Sequence, residues 1–142
     1  MYETDGIKGK MYGEVFAFPV RVYYEDTDAG GVVYYANYLR FAERARTEFI
    51  RYLGKNQIDD LNKKNHAFVV RKVEAEYLKP AVLDDMLTVT CKVVEKGGAT
   101  VTVAQEILRE DEVLVQLKVK AVHVDIEKKR PIRLPEFLLK ME

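Results

Sequence analysis

Cysteine, histidine and an excess charge of either sign are what this sequence has least of. Cys91 is the only cysteine. It has no internal disulfide partner, and no Cys/His spacing suits a structural metal. His66 and His123 are the only histidines, which argues against a zinc site and against a Ser-His-Asp triad; no metal is expected. Lysine plus arginine and aspartate plus glutamate number 23 each, for a net charge of zero. That removes the electrostatic basis for general nucleic-acid binding, though not for a local basic patch that holds a small anion. No stretch approaches the ~20 apolar residues of a membrane span. Met1 to Glu14, with Glu3, Asp5, Lys8 and Lys10, has no apolar run of the secretory kind. A cytoplasmic protein is the expectation.

What is present is a globular composition, 48% hydrophobic and 32% charged over 142 residues. It suits one domain over residues 1–142 with a core of its own, residues 1–12 forming a flexible tail. Glu14 to Tyr24 reads as a strand with Phe16, Phe18, Val20, Val22 and Tyr24 on one face, and Pro19 marks an edge or a bulge. Tyr35 to Leu53 reads as the one long helix, since Tyr38, Phe41, Ala42, Ala45, Phe49, Tyr52 and Leu53 recur at helical spacing. Glu48 and Arg51 are placed to pair on its polar side. A polar connector follows, with a helical turn expected around Ile58 to Leu61.

The period then changes to two. Strands are expected over His66 to Tyr77, Met86 to Glu95, Ala99 to Arg109 and Val113 to Asp125, the last with Leu114 on its outer side. Short turns join these strands, so they run antiparallel. The order of strand, helix, then four strands is α+β. One helix cannot cover both faces of five strands. A face or an edge is left for self-association.

The segment Tyr24-Glu25-Asp26-Thr27-Asp28-Ala29-Gly30-Gly31-Val32-Val33-Tyr34 concentrates the chemistry. Three readings of its carboxylates are open. Aspartates favour turns because they bond backbone N–H groups two residues on. A metal site needs more oxygen ligands than this loop supplies. In a catalytic reading, Gly30 and Gly31 allow a ligand close to the backbone. The helix beginning near Tyr35 offers free N–H donors to a developing oxyanion, and a carboxylate attacks a carbonyl or deprotonates water.

That run, with Ala36-Asn37-Tyr38 and Glu43-Arg44-Ala45-Arg46, resembles the signature of the 4-hydroxybenzoyl-CoA thioesterase family. It is most similar to the branch of acyl-CoA thioesterases associated with the Tol–Pal system. Phe68-Val69-Val70, Tyr77 to Ala81 and Leu83-Asp84-Asp85 carry the resemblance on, over roughly residues 15 to 135. It implies a hot-dog fold, an antiparallel five-stranded sheet wrapped around one long central helix. It also implies a homodimer or homotetramer with active sites at the dimer interface. In the family pattern the acid just before Ala-Gly is the catalytic carboxylate, here Asp28, as nucleophile or general base. The oxyanion donor corresponds to the backbone N–H of Tyr35, and Gly31 and Val32 line the approach. Much of the branch has His where this chain has Tyr35, a change that leaves a backbone donor intact.

The activity so implied is hydrolysis of an acyl-CoA thioester to a free acid and coenzyme A. Coenzyme A is part of the substrate, and no cofactor is expected. Its phosphates would suit Arg130 or Arg133 in the basic run after the last strand. Two alternatives remain: a non-catalytic acyl-CoA or acyl-carrier binding module, and a thioesterase acting on acyl-carrier-protein. Glu43 is a second candidate carboxylate, because some hot-dog thioesterases carry theirs on the helix. Asp26 is expected to support the turn, Asn37 to cap or orient the helix start, Cys91 to be core, and both histidines to be structural or surface residues.

Overall fold

The computed structural model describes residues 1–3, 6–54 and 62–141. The turn expected around Ile58 to Leu61 lies outside the described residues. Seven strands form one antiparallel sheet: β1 (Lys10–Tyr12), β2 (Val15–Arg21), β3 (His66–Tyr77), β4 (Met86–Lys96), β5 (Thr100–Arg109), β6 (Glu112–Asp125) and β7 (Arg130–Pro131). Their order is β1-β2-β4-β5-β6-β3, with β7 paired to the end of β6. The long helix α1 (Asn37–Gly54) buries Tyr38, Phe41, Ala42, Ala45 and Phe49. Against them lie Phe16, Phe18 and Val20 of β2, Leu87, Val89 and Cys91 of β4, Val103 and Ile107 of β5, and Val115, Leu117 and Val119 of β6. Helical period and strand period thus meet in one core, the α+β arrangement of a sheet around a helix.

The sheet has seven strands rather than five. Lys10–Tyr12, assigned to the tail from its polarity, pairs with β2 (Lys10↔Ala17, Met11↔Phe16). Gly9 lies on the Phe16 ring, 2.1 Å from where a Cβ would stand, so only glycine lets the chain approach there. β2 stops at Arg21, and a 3₁₀ turn follows over Tyr24–Asp26. Tyr24 accordingly leaves the inner face and is exposed. Pro19 lies beyond the three residues to which β1 pairs, where β2 is a free edge that needs no N–H donor. On α1, Arg51 meets Glu48 at 2.5 Å. Tyr52 is half exposed, although its ring rests on Phe16 at 5.6 Å.

Leu114 departs from the expected alternation. Ile107 pairs with Val115 and Leu108 with Val113, so Leu114 is the extra residue of a bulge. It turns inward and is fully buried. Its carbonyl accepts the N–H groups of Leu78 (2.8 Å) and Lys79 (3.1 Å), which pins the chain as it leaves β3.

Inside the core one polar side chain, Gln105 of β5, is 1% exposed. Its Oε1 accepts from Arg46 Nη1 at 2.9 Å, and its Nε2 donates to the Ala42 carbonyl at 3.0 Å and to Cys91 Sγ at 3.2 Å. The amide is fully used. It locks α1 to the sheet in one register.

β3 is a long edge strand whose middle α1 leaves largely uncovered. Val70 pairs with Ala121, Val73 with Val119, Ala75 with Leu117 and Tyr77 with Val115. Paired residues point to the same side, so this row faces the helix side of the sheet. Its partners on β6 are buried, yet Val70 is 43%, Val73 41% and Tyr77 43% exposed. Lys72, Glu74 and Glu76 alternate with them on the outer side. Among the described residues this inward apolar row is left partly open to solvent at Val70 and Val73, while Tyr77 at its end meets Tyr38 of α1 at 5.7 Å.

Candidate active site

The segment between β2 and α1 is a loop held from three directions. At its start, Asp26 is buried and its Oδ2 accepts from the Tyr23 N–H at 2.8 Å. The Asp26 carbonyl accepts from the Tyr34 N–H at 3.0 Å and from Asn37 Nδ2 at 2.9 Å. From the side, Val33 N–H donates to the Ala81 carbonyl at 2.9 Å, and Ala81 N–H donates to the Tyr38 hydroxyl at 2.9 Å. Burial pushes the Tyr38 phenol up, opposed by the Ala81 N–H. The 78–85 segment is braced in turn: Arg109 meets Asp85 and Glu112 at 2.8 Å each, and Asp85 Oδ2 accepts from Val82 N–H at 2.9 Å. Lys79 and Arg109 hold the Glu112 carboxyl below the usual carboxylate range.

On this frame Asp28 is exposed. Its Oδ1 accepts from the Gly30 N–H at 2.8 Å, an Asx turn. Among the described residues nothing bonds Oδ2, so one oxygen fixes the carboxylate and the other is free. Turn and catalytic readings are thus not exclusive, because the turn aims the group. Gly31 has φ +82°, a region that costs an L-residue roughly 1–2 kcal/mol. Its N–H donates to the Asp28 carbonyl at 3.1 Å, and Asp28 N–H donates to the Val32 carbonyl at 2.9 Å. Val32 bridges to Val82. Nothing lies within 4 Å of a Cβ placed on Gly31. Gly31→Ala is therefore expected to lower stability by about 1–2 kcal/mol through backbone strain alone, read as a shift in denaturant midpoint at unchanged m-value.

The N–H groups of Asn37, Tyr38 and Leu39 bond back to the carbonyls of Tyr34, Tyr35 and Ala36. Among the described residues the N–H groups of Tyr35 and Ala36 have no acceptor, as the first turn of a helix requires. Tyr35 is thus a free donor at the positive end of α1, and its side chain is exposed. Its ring stands edge-on to Tyr77 at 6.0 Å and touches Tyr34 at 5.0 Å, while Tyr77 also touches Tyr38 at 5.7 Å. Sequence reasoning missed this tyrosine wall. Tyr77 lies inside a motif already singled out, but strand periodicity gave no sign that it meets the helix start.

The structure gathers Asp28, Gly30, Gly31, Val32 and the Tyr35 N–H in one loop. Arg130 and Arg133 sit at the other end of the sheet. Arg130 pairs with Asp125, Asp125 pairs with His66, and Tyr77 is eleven residues further along β3. At ~3.3 Å per residue that is roughly 35 Å. There Arg130, Arg133, Lys64, Lys128, His66 and Asp125 help line a cleft of about 650 Å³. His123 is buried. Its Nδ1 donates to the Arg133 carbonyl at 2.8 Å, its Nε2 has no partner among the described residues, and burial pushes the imidazole pKa down. Glu43 is exposed on α1, about 12 Å along the helix axis from Tyr35 at 1.5 Å per residue.

Among the described residues no helix is long and apolar enough to cross a membrane. Residues 22–141 match the thioesterase-like superfamily. The chain is 48% identical over 126 residues to an acyl-CoA thioesterase, YbgC, of Haemophilus influenzae, covering 89% of this chain and 93% of that one. It is 45% identical over 130 residues to the acyl-CoA thioester hydrolase YbgC of Escherichia coli O6:H1, covering 91% and 96%. A probable thioesterase from Bartonella henselae superposes with a TM-score of 0.74 at 37% identity, over 87% of this chain and all of that one. The chain belongs to the thioesterase-like superfamily: it is a hot-dog thioester hydrolase.

Proposed function

We propose that the protein hydrolyses acyl-CoA thioesters, with Asp28 as the catalytic carboxylate and the Tyr35 N–H as the oxyanion donor. The observation that carries this is the pairing of a half-bonded carboxylate with an unbonded N–H at the start of α1, on one braced loop. Asp28 Oδ2 takes a proton from water, and the oxygen attacks the thioester carbonyl. The carbonyl oxygen gains charge against the Tyr35 N–H, a type of donor whose removal costs about 10²–10³ in rate. The intermediate collapses by breaking the C–S bond, leaving a carboxylic acid and a thiol. A thiolate leaves without a strong general acid, which fits a loop without histidine. Direct attack by Asp28, through a mixed anhydride, uses the same groups. No metal or cofactor takes part. The acyl-CoA substrate is supported by the YbgC relatives; the closer placement, in the Tol–Pal-associated branch and in the cytoplasm, is a reading of the sequence alone.

The acting form is a homodimer built edge to edge through β3. Two features support it: the solvent-open apolar pair Val70 and Val73 on the inner side of β3, and a site that lies open to water in one protomer. Antiparallel pairing of two β3 strands about a two-fold axis brings the His66 end of one toward the Tyr77 end of the other. Arg130 and Arg133 of one subunit then stand near the Asp28 loop of the second, where they can meet coenzyme phosphates.

The test is thiol release over acyl-CoA and acyl-carrier-protein substrates. Cys91 will not interfere, because burial pushes its thiol up to about 12 and only thiolates react. Turnover on acyl-CoA is expected. Tight binding without turnover would make the protein a binding module, and turnover confined to the carrier protein would change the substrate.

A further inference from the structure

We infer that Asn37 is a positioning residue, whose side-chain amide sets the geometry between Asp28 and the Tyr35 N–H by clasping the base of their loop. The inference rests on the catalytic reading of that loop.

Both catalytic groups lie between Asp26 and Asn37. At that neck the Asp26 carbonyl receives two donors, the Tyr34 N–H at 3.0 Å and Asn37 Nδ2 at 2.9 Å. Both of its lone pairs are used. Asp26 is anchored behind by the Tyr23 N–H, and Asn37 is the first residue of an 18-residue helix packed on the sheet. Asp26 is 6% and Asn37 9% exposed, so water cannot readily take over the bond. The clasp therefore ties the rigid helix start, which carries the oxyanion donor, to the 3₁₀ turn that immediately precedes Asp28.

Asn37 is not an N-cap in the usual sense. A cap accepts backbone N–H bonds through its side-chain oxygen. Here the group opposite is a carbonyl, so the amide nitrogen must face it; the flipped rotamer would set two oxygens 2.9 Å apart. The residue points back across the loop instead of forward along the helix.

Misplacement of reacting groups by about 1 Å can cost about 10²-fold in rate. Asn37→Asp keeps the shape but puts an oxygen against the Asp26 carbonyl, and Asn37→Ala removes the donor without repulsion. For either variant kcat is expected to fall about 10–100-fold at unchanged KM. Amide exchange should quicken at Tyr34 and Asp28 while β4 and β5 keep their protection. The inference is overturned by wild-type kcat in the folded variants, by an effect on KM alone, or by exchange that quickens throughout β4 and β5, which would mark a merely structural residue. If Asn37→Asp does not fold, the alanine variant decides. Asp28→Asn is measured alongside. An active Asp28→Asn removes the catalytic reading itself, whereas an inactive one beside a normal Asn37→Asp removes only the clasp.

Discussion

Asp28→Asn lowers kcat for acyl-CoA hydrolysis by about 10²–10⁴-fold and leaves KM and the unfolding midpoint close to wild type. Asparagine keeps an Oδ1 that accepts the Gly30 N–H, so the turn seen at 2.8 Å survives. What disappears is the free second oxygen as a base or nucleophile. The side chain is exposed, so the substitution opens no cavity and buries no unpaired group. An effect on kcat without one on stability thus separates chemistry from folding. Residual turnover is expected, since the Tyr35 N–H still stabilises the oxyanion. Steady-state thiol release decides the matter. A variant with wild-type kcat would transfer the role elsewhere, and Glu43→Gln is the control, expected to have little effect because that carboxylate lies two helical turns away on the solvent side.

The parts of this site that a sequence shows are those adjacent along the chain. Asp28, Gly30, Gly31, Val32 and Tyr35 lie within eight residues, and a helix start near Tyr35, two residues before the observed Asn37, was readable from the spacing of Tyr38, Phe41, Ala42 and Ala45. The supports were not. Ala81 meets Tyr38 and Tyr77 meets Tyr35 across separations that only the sheet order closes. Periodicity reports which way a side chain faces relative to its neighbours, not what stands opposite. The same limit explains Leu114, where one extra residue reverses the alternation, and Gln105, a polar residue at an inward position whose partners Arg46 and Ala42 sit on the helix. It explains Arg130 and Arg133 too. Their charge was legible, but their distance from Asp28 follows from the length of β3. β1 escaped notice because three residues carry too little period to register.

Val73→Asp separates the protein into monomers and abolishes most of its activity. Val73 faces the helix side of the sheet beside Val119, which is 1% exposed, yet Val73 itself is 41% exposed. In a lone protomer the substitution is thus tolerated, because a carboxylate there still reaches water. The cost is on the order of the ~1 kcal/mol span of strand propensity. In a dimer paired through β3 the same position is covered, and each interface holds two copies of the substitution. An unpaired charge enclosed in a packed interface costs about 3–5 kcal/mol. Even the lower figure weakens association about 100-fold. Aspartate is chosen over lysine because its short side chain cannot snorkel out to water. Sedimentation is expected to show wild type at twice the 16.4 kDa chain mass and the variant at the chain mass, still folded, with thiol release reduced in step with the fraction dissociated. Raising the protein concentration should restore both together. A fully active wild-type monomer would sink the dimeric site, and an active, dimeric Val73→Asp would move the interface away from β3. The coupled loss of mass and activity is what ties the bare inner row of the edge strand to the chemistry at its far end.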